Sequence, residues 1–188
     1  IFTVMSKMAS EYNAINLSQG FPNFPVDERL TDILSKLTNE NVHQYTPMAG
    51  YPPLMNQIAK LIQSSYNRTI NPDLELLITA GATQGIFTSI LALVKNGDEV
   101  IILDPSYDSY ESPVLLCNAK PVRVALNDDY TPNWDTIEKA CSSKTKMIII
   151  NNPHNPTGKI LTENDFIQLE KLLSKYPDIL VLSDEVYE

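Results

Sequence analysis

The stretch Met147-Ile148-Ile149-Ile150-Asn151-Asn152-Pro153-His154-Asn155-Pro156-Thr157-Gly158 changes character partway along. Four apolar residues with no polar member between them read as a strand covered on both faces, and the asparagines and prolines behind them read as a rigid loop. The same pairing recurs along the chain. An apolar run over 74–80 leads into Gly81-Ala82-Thr83-Gln84-Gly85, one over 100–103 into Asp104-Pro105-Ser106-Tyr107, and one over 179–182 into Ser183-Asp184-Glu185-Val186-Tyr187. A further strand is expected over 122–125. Helical spacing fills the intervals: Leu54, Ile58, Leu61 and Ile62 behind Pro52-Pro53; Ile86, Ile90, Leu93 and Val94 before the stop Asn96-Gly97; a helix near 108–117; and one carrying Trp134, Ile137 and Cys141. Phe166, Leu169, Leu172 and Leu173 share one face of a helix that Thr162 and Asp165 open at capping-box spacing. Buried strands alternating with amphipathic helices imply an α/β fold with a doubly wound, mostly parallel sheet.

Residues 1–42 break this rhythm. They are richer in polar and loop-forming residues, as in the segment from Asn16 to Pro25, and are expected to form an arm and part of a smaller lobe, with 43–188 belonging to the larger domain. The chain stops five or six residues past its last apolar run, which leaves that strand without a covering helix. A piece of a longer protein is therefore expected.

Composition excludes several classes of function. A net charge of -9 with arginine only at 29, 68 and 123 does not suit a nucleic-acid groove or an anionic membrane surface. No run is long and apolar enough to span a bilayer, and the N-terminus has no signal-peptide pattern. Cys117 and Cys141 are the only cysteines, with no CxxC or Cys/His spacing, so they are read as core thiols and no metal is expected. The expected partners are small molecules, and the expected compartment is the cytoplasm, with the mitochondrion as the lesser alternative.

In open parallel sheets, ligands sit beyond the carboxyl ends of the strands, and four such ends carry distinct chemistry here. The turn from Gly81 to Gly85 opens a helix, where free N–H groups favour a phosphate, though a plain strand-to-helix turn looks the same. Tyr107 is either a stacking ring or a packing one. Asn155, between two prolines, either donates to a ligand oxygen or satisfies the turn. Asp184 at the mouth of a buried strand calls for a cation or several donors, unless it caps a following helix, and Tyr187 lies three residues on. Together the four describe a flat anionic heteroaromatic ligand with a phosphate, a phenolic oxygen and a protonated ring nitrogen, which is pyridoxal 5'-phosphate.

At these residues the chain resembles the class I aminotransferases with the large pyridoxal-phosphate fold, closest to the branch of methionine and kynurenine/glutamine aminotransferases. The segments NLSQGFPNF, QYTPMAGYPPL, TAGATQG, DPSYDSY, NNPHNPTG and SDEVYE occur in the family's order across nearly the whole chain. The resemblance implies that the amides of Ala82 and Thr83 hold the phosphate and that Tyr107 stacks on the ring. Asn155 and Tyr187 would meet the phenolic oxygen, Asp184 the ring nitrogen. It implies further that Gly20, with Asn155, receives the substrate, that Tyr45 reaches the phosphate bound by a neighbouring subunit of a homodimer, and that Asp104-Pro105 and Asn155-Pro156 are cis. The family's catalytic lysine would lie beyond Glu188, so that the activity, transamination of a sulfur-containing or aromatic L-amino acid with a 2-oxo acid, needs more than this chain.

Other readings fit less of the pattern. An α/β-hydrolase would use the Gly81–Gly85 turn as its elbow with His154 as base, yet Thr83 stands where serine belongs. A P-loop ATPase needs GxxxxGK[ST], and Gly158-Lys159 is followed by Ile160. A non-catalytic fragment that only folds or dimerises is the third alternative.

Overall fold

The computed structural model describes residues 2–18, 20 and 22–187, and the chain divides into two compact units, Ile1–Met48 and Ala49–Glu188. The first unit holds two helices, α1 (Phe2–Glu11) and α2 (Glu28–Leu37). The Asp27 side chain starts α2 by accepting from the Arg29 amide at 2.9 Å, and Leu30, Ile33, Leu34 and Leu37 recur along it at helical spacing. The sequence reading names no helix in this segment, and the structure has α1 and α2 there.

The second unit opens with α3 (Pro52–Tyr66), where two prolines occupy the first turn, whose N–H groups need no partner within the helix. Its centre is a four-stranded, wholly parallel sheet in the order β2-β1-β3-β4, made of β1 (Glu99–Asp104), β2 (Lys120–Ala125), β3 (Thr145–Asn151) and β4 (Leu180–Asp184). Strand side chains alternate between faces, so each of the two inner strands feeds two cores. Val100, Ile102, Met147 and Ile149 point to one face with Ile86, Ile90 and Val94 of the segment containing α5 (Ala82–Leu93), and with Val114 of α6 (Glu111–Leu116). Ile101, Leu103, Ile148 and Ile150 point to the other with Ile137 of α7 (Trp134–Ala140), and with Leu169 and Leu172 of α8 (Glu163–Lys175). This is the doubly wound arrangement that unbroken apolar runs in β1 and β3 demand. The outer strand β4 is half covered, and its burial alternates instead.

Helix α8 begins at the expected capping box: the Asp165 carboxylate accepts from the Thr162 amide at 2.8 Å, while the Thr162 hydroxyl oxygen accepts from the Asp165 amide. Asp165 also accepts from the indole N–H of Trp134 at 2.9 Å, which ties α7 to α8.

One expected strand is absent. Leu74 and Glu75 belong to the short helix α4 (Pro72–Glu75), started by Asn71, whose side chain accepts from the Asp73 amide. Residues 76–79 run without helix or ladder, and the Ile78 amide donates to the Ala49 carbonyl at 2.8 Å. Apolar composition allows an extended chain, but a strand exists only through a paired neighbour, and among the described residues none lies beside this run.

Candidate active site

Parallel register brings the carboxyl ends of the strands level. Asn151 at the end of β3 pairs with Asp184 at the end of β4, and Asp104 closes β1 beside them. A cavity of about 240 Å³ lies there, lined by Ala82 and Thr83 from the start of α5, Tyr107 from the loop after β1, Asn151 and Asn155 from the end of β3 and its loop, and Asp184 and Tyr187 from the end of β4. Ile86 and Val186 supply apolar wall. Six residues singled out in the sequence therefore meet in one place. Gly20 and Tyr45 belong to the first unit, where both are exposed.

Each wall has a local cause. Gly81 adopts φ 86°, a conformation that favours glycine, and the helix behind it starts without a side-chain cap. The turn is braced from outside the first-turn amides: Gln84 Oε1 accepts from the Ala80 amide at 2.5 Å, and the Thr79 hydroxyl donates to the Gly81 carbonyl at 3.0 Å. Ala82 and Thr83 open the first turn of this helix, the position where free N–H groups suit an anion. Gly50 supports the same segment from below. A Cβ there would stand 2.3 Å from Ile78 Cγ1, so the chain passes over Ile78 only because residue 50 has no side chain.

The loop carrying Tyr107 is strapped by Arg123, which donates to Asp104 at 2.7 Å and to Glu111 at 2.6 Å across the two ends of the segment. The carboxylate of Glu111, with the Arg123 hydrogen bond as the main cause, is held below the usual range for glutamate. Tyr107 meets Tyr110 edge to face, with ring centroids 5.8 Å apart and planes at 79°.

Asp184 is 7% exposed. Its Oδ2 accepts from the Tyr110 hydroxyl at 2.7 Å, and its Oδ1 takes a long 3.3 Å bond from the Val186 amide. The Tyr110 phenol is pushed far above the ordinary tyrosine range, first by burial and then by this hydrogen bond to a carboxylate. Asp184 is thus a buried acid with one oxygen engaged from the core by Tyr110 and the other, among the described residues, by the longer bond from the Val186 amide. Asn151 arranges the neighbours: its Nδ2 donates to the Asp184 carbonyl at 2.8 Å, and its Oδ1 accepts from the Asn155 amide at 2.6 Å. Asn155 Nδ2 in turn donates to the Tyr187 hydroxyl at 3.0 Å, so the amide and the phenol stand side by side at the rim. The peptide bonds Asp104-Pro105 and Asn155-Pro156 are cis, as expected, and Asn152-Pro153 is cis as well.

Tyr110, Asn151 and Arg123 were not foreseen as parts of the site. Asn151 opens the NNPHNPTG segment and Tyr110 closes DPSYDSY, but nothing in either sequence position shows which way the side chain turns. The hydrolase reading fails on geometry, because His154 Nδ1 pairs with Thr157 Oγ1 at 2.8 Å rather than with Thr83. Burial lowers the His154 pKa below its ordinary value. Lys159 is bonded to Asp129 at 3.3 Å and does not line the cavity. A second hollow of about 490 Å³, lined by Ile62, Tyr66, Arg68, Asn152, Pro153 and Glu185, brings its charges together only from exposed positions. Among the described residues no helix is long and apolar enough to cross a membrane.

Comparison with known proteins agrees with this geometry. The profile of the family described as aminotransferase class I and II matches residues 12–188. A methionine aminotransferase of Escherichia coli is 39% identical over 189 residues, which take in all of this chain and 49% of that protein. Kynurenine–oxoglutarate transaminase 3 of Bos taurus is 37% identical over 200 residues, all of this chain and 44% of that protein. Among solved structures, a methionine aminotransferase of Escherichia coli superposes with a TM-score of 0.95 at 39% identity, over 100% of this chain and 50% of its own. An N-succinyldiaminopimelate aminotransferase of Mycobacterium tuberculosis gives 0.94 at 34% identity, over 100% and 49%. The chain spans about half the length of the curated relatives it matches.

Proposed function

This chain belongs to the aminotransferase class I and II family, and from that premise we propose that the whole protein transfers the amino group of a sulfur-containing or aromatic L-amino acid to a 2-oxo acid with pyridoxal 5'-phosphate as coenzyme. The observation that carries the reading is the meeting of Ala82, Thr83, Tyr107, Asn155, Asp184 and Tyr187 in one cavity. Their chemistry fits that coenzyme group by group. The uncapped amides of Ala82 and Thr83 suit the phosphate, the Tyr107 ring suits the pyridine face, Asn155 and Tyr187 suit the phenolic oxygen, and the buried Asp184 suits a protonated ring nitrogen.

When bound, pyridoxal phosphate supplies an electron sink for charge developing at the substrate's α-carbon. Asp184 keeps a proton at the ring nitrogen, because a buried carboxylate with one oxygen nearly unengaged is stabilised by a cationic N–H. Asn155 and Tyr187 would hold the phenolic oxygen, and Tyr107 would cover a face of the ring against water. On this reading the substrate carboxylate is received at Gly20 with Asn155, and Tyr45 serves the phosphate bound in the neighbouring subunit of a homodimer. On the same reading the catalytic amine would be supplied by a part of the whole protein outside this chain. The choice of amino donor follows the names of two relatives, a methionine aminotransferase and a kynurenine–oxoglutarate transaminase.

The test is to add pyridoxal phosphate to the whole protein, follow its visible absorption, and supply methionine or kynurenine with a 2-oxo acid. A bound, coloured species that transfers nitrogen to the oxo acid is expected. A protein that stays colourless and inert overturns the proposal.

A further inference from the structure

We propose that Tyr110 is a positioning residue that sets the orientation of Asp184 and, through it, the grip on the ring nitrogen; the proposal rests on the coenzyme assignment above. Tyr110 is 2% exposed and sits in the core cluster beneath the cavity, with Ile86, Val114 and Ile149. Packing alone would be served by phenylalanine. A buried hydroxyl costs stability unless it is bonded, and this one meets the Asp184 carboxylate at 2.7 Å across 74 positions of sequence.

The geometry leaves Asp184 little other guidance. Its backbone carbonyl is pinned by the Asn151 side chain at 2.8 Å and the Asn152 amide at 3.1 Å, which fixes where the side chain starts and not how it turns. Of its two oxygens, Oδ1 has, among the described residues, only the 3.3 Å bond from Val186. Tyr110 therefore decides the rotation. By holding Oδ2 toward the core it leaves Oδ1 as the oxygen available to the cavity. The same ring presses edge-on against Tyr107, so one buried side chain steadies both the acid and the stacking ring. Burial raises the phenol's pKa, and it stays a donor throughout the physiological range.

The experiment uses the whole protein and pyridoxal phosphate as probe. Tyr110→Phe keeps the ring and removes only the hydroxyl, and it is compared with Asp184→Asn and with the double variant. Coenzyme dissociation constants, the absorption maximum of the bound coenzyme, and apoprotein melting are read for each. Tyr110→Phe is expected to fold and to bind coenzyme about tenfold more weakly, with its absorption maximum displaced in the same direction as that of Asp184→Asn. In the Asp184→Asn background the further loss is expected to be less than about twofold, because the hydroxyl then has no charged acceptor to orient. An unchanged dissociation constant and spectrum in Tyr110→Phe, a full tenfold loss persisting in the Asp184→Asn background, or a Tyr110→Phe protein that does not fold each overturns the proposal. A wild-type protein that binds no coenzyme overturns the proposed function and this inference with it. A wild type that binds while Tyr110→Phe is indifferent overturns this inference alone.

Discussion

Replacing Asp184 by asparagine separates the charge of this residue from its shape. The amide occupies the same volume, and its oxygen can still accept from the Tyr110 hydroxyl that now stands 2.7 Å from Oδ2. Packing is preserved, and apoprotein stability should fall by no more than about 1 kcal/mol, the worth of one neutral hydrogen bond. What changes is the side turned to the cavity, where a nearly unengaged carboxylate oxygen becomes an NH2 group. On the proposed coenzyme reading, a protonated ring nitrogen would then face a donor instead of an anion. The lost charge-assisted bond is worth roughly 1.5–3 kcal/mol, which weakens coenzyme binding about ten- to hundredfold. Turnover falls further, by at least about a hundredfold, because the proton at the ring nitrogen matters most while negative charge develops at the substrate. Fluorescence titration of the apoprotein with coenzyme gives the first number and steady-state transamination of the whole protein gives the second. Affinity within about twofold of wild type and activity near wild type would refute the role of Asp184, whatever the melting curve showed.

Tyr107→Ala removes the ring proposed to stack on the coenzyme and should weaken coenzyme binding by roughly 1–3 kcal/mol; unchanged affinity by the same titration returns Tyr107 to packing against Tyr110. Gly50→Ala places a Cβ 2.3 Å from Ile78 Cγ1 at a residue with φ 135° and should cost about 1–3 kcal/mol in denaturant unfolding; a neutral result refutes the support assigned to the segment before Gly81. Burial alone would raise the Asp165 pKa, but the Thr162 hydroxyl, the Trp134 N–H and the Thr162 amide outweigh it and hold it below the usual aspartate value. Its contribution is therefore present above the unfolded carboxylate range and lost as pH falls through the lower folded value, so Asp165→Asn should flatten the acid limb of a melting-against-pH curve; an unchanged limb rules this out. Tyr110 has the opposite sign: its folded pKa lies above the unfolded value, so its contribution is intact below about pH 10 and lost as pH rises beyond it. Tyr110→Phe should lessen the alkaline loss of stability, and a curve superposable on wild type above that pH contradicts the burial argument.

The sheet was legible because its inner strands have no choice of face. Val100 to Leu103 and Met147 to Ile150 offer apolar side chains to both sides, and only a layer of helices on each side can cover them. Residues 76–79 carry similar composition and form no strand, since pairing depends on a neighbour and composition cannot name one. The helices of the first unit are hidden for another reason: Gly, Pro and Asn between them mask the period, and the signal for α2 is Asp27 followed by Leu30, Ile33, Leu34 and Leu37. For the site the division is sharper. Parallel register makes the strand ends lie in the same layer, so the polar loops that follow them face the same crevice, and Tyr107, Asn155 and Asp184 could be grouped by that rule; Ala82 follows a run that forms no strand and lines the crevice from the start of α5. Tyr110 and Asn151 obey no such rule. Tyr110 reaches Asp184 from within the first core cluster, at the residue before α6, and Asn151 reaches the Asp184 carbonyl because its strand stops level with Asp184. These contacts depend on how two faces of a folded sheet meet. The residues expected to touch the coenzyme are thus set by position along the chain, while those that aim them are set by packing across it, so substitutions of the aiming residues should be the ones that alter coenzyme affinity with no change in the residues lining its face.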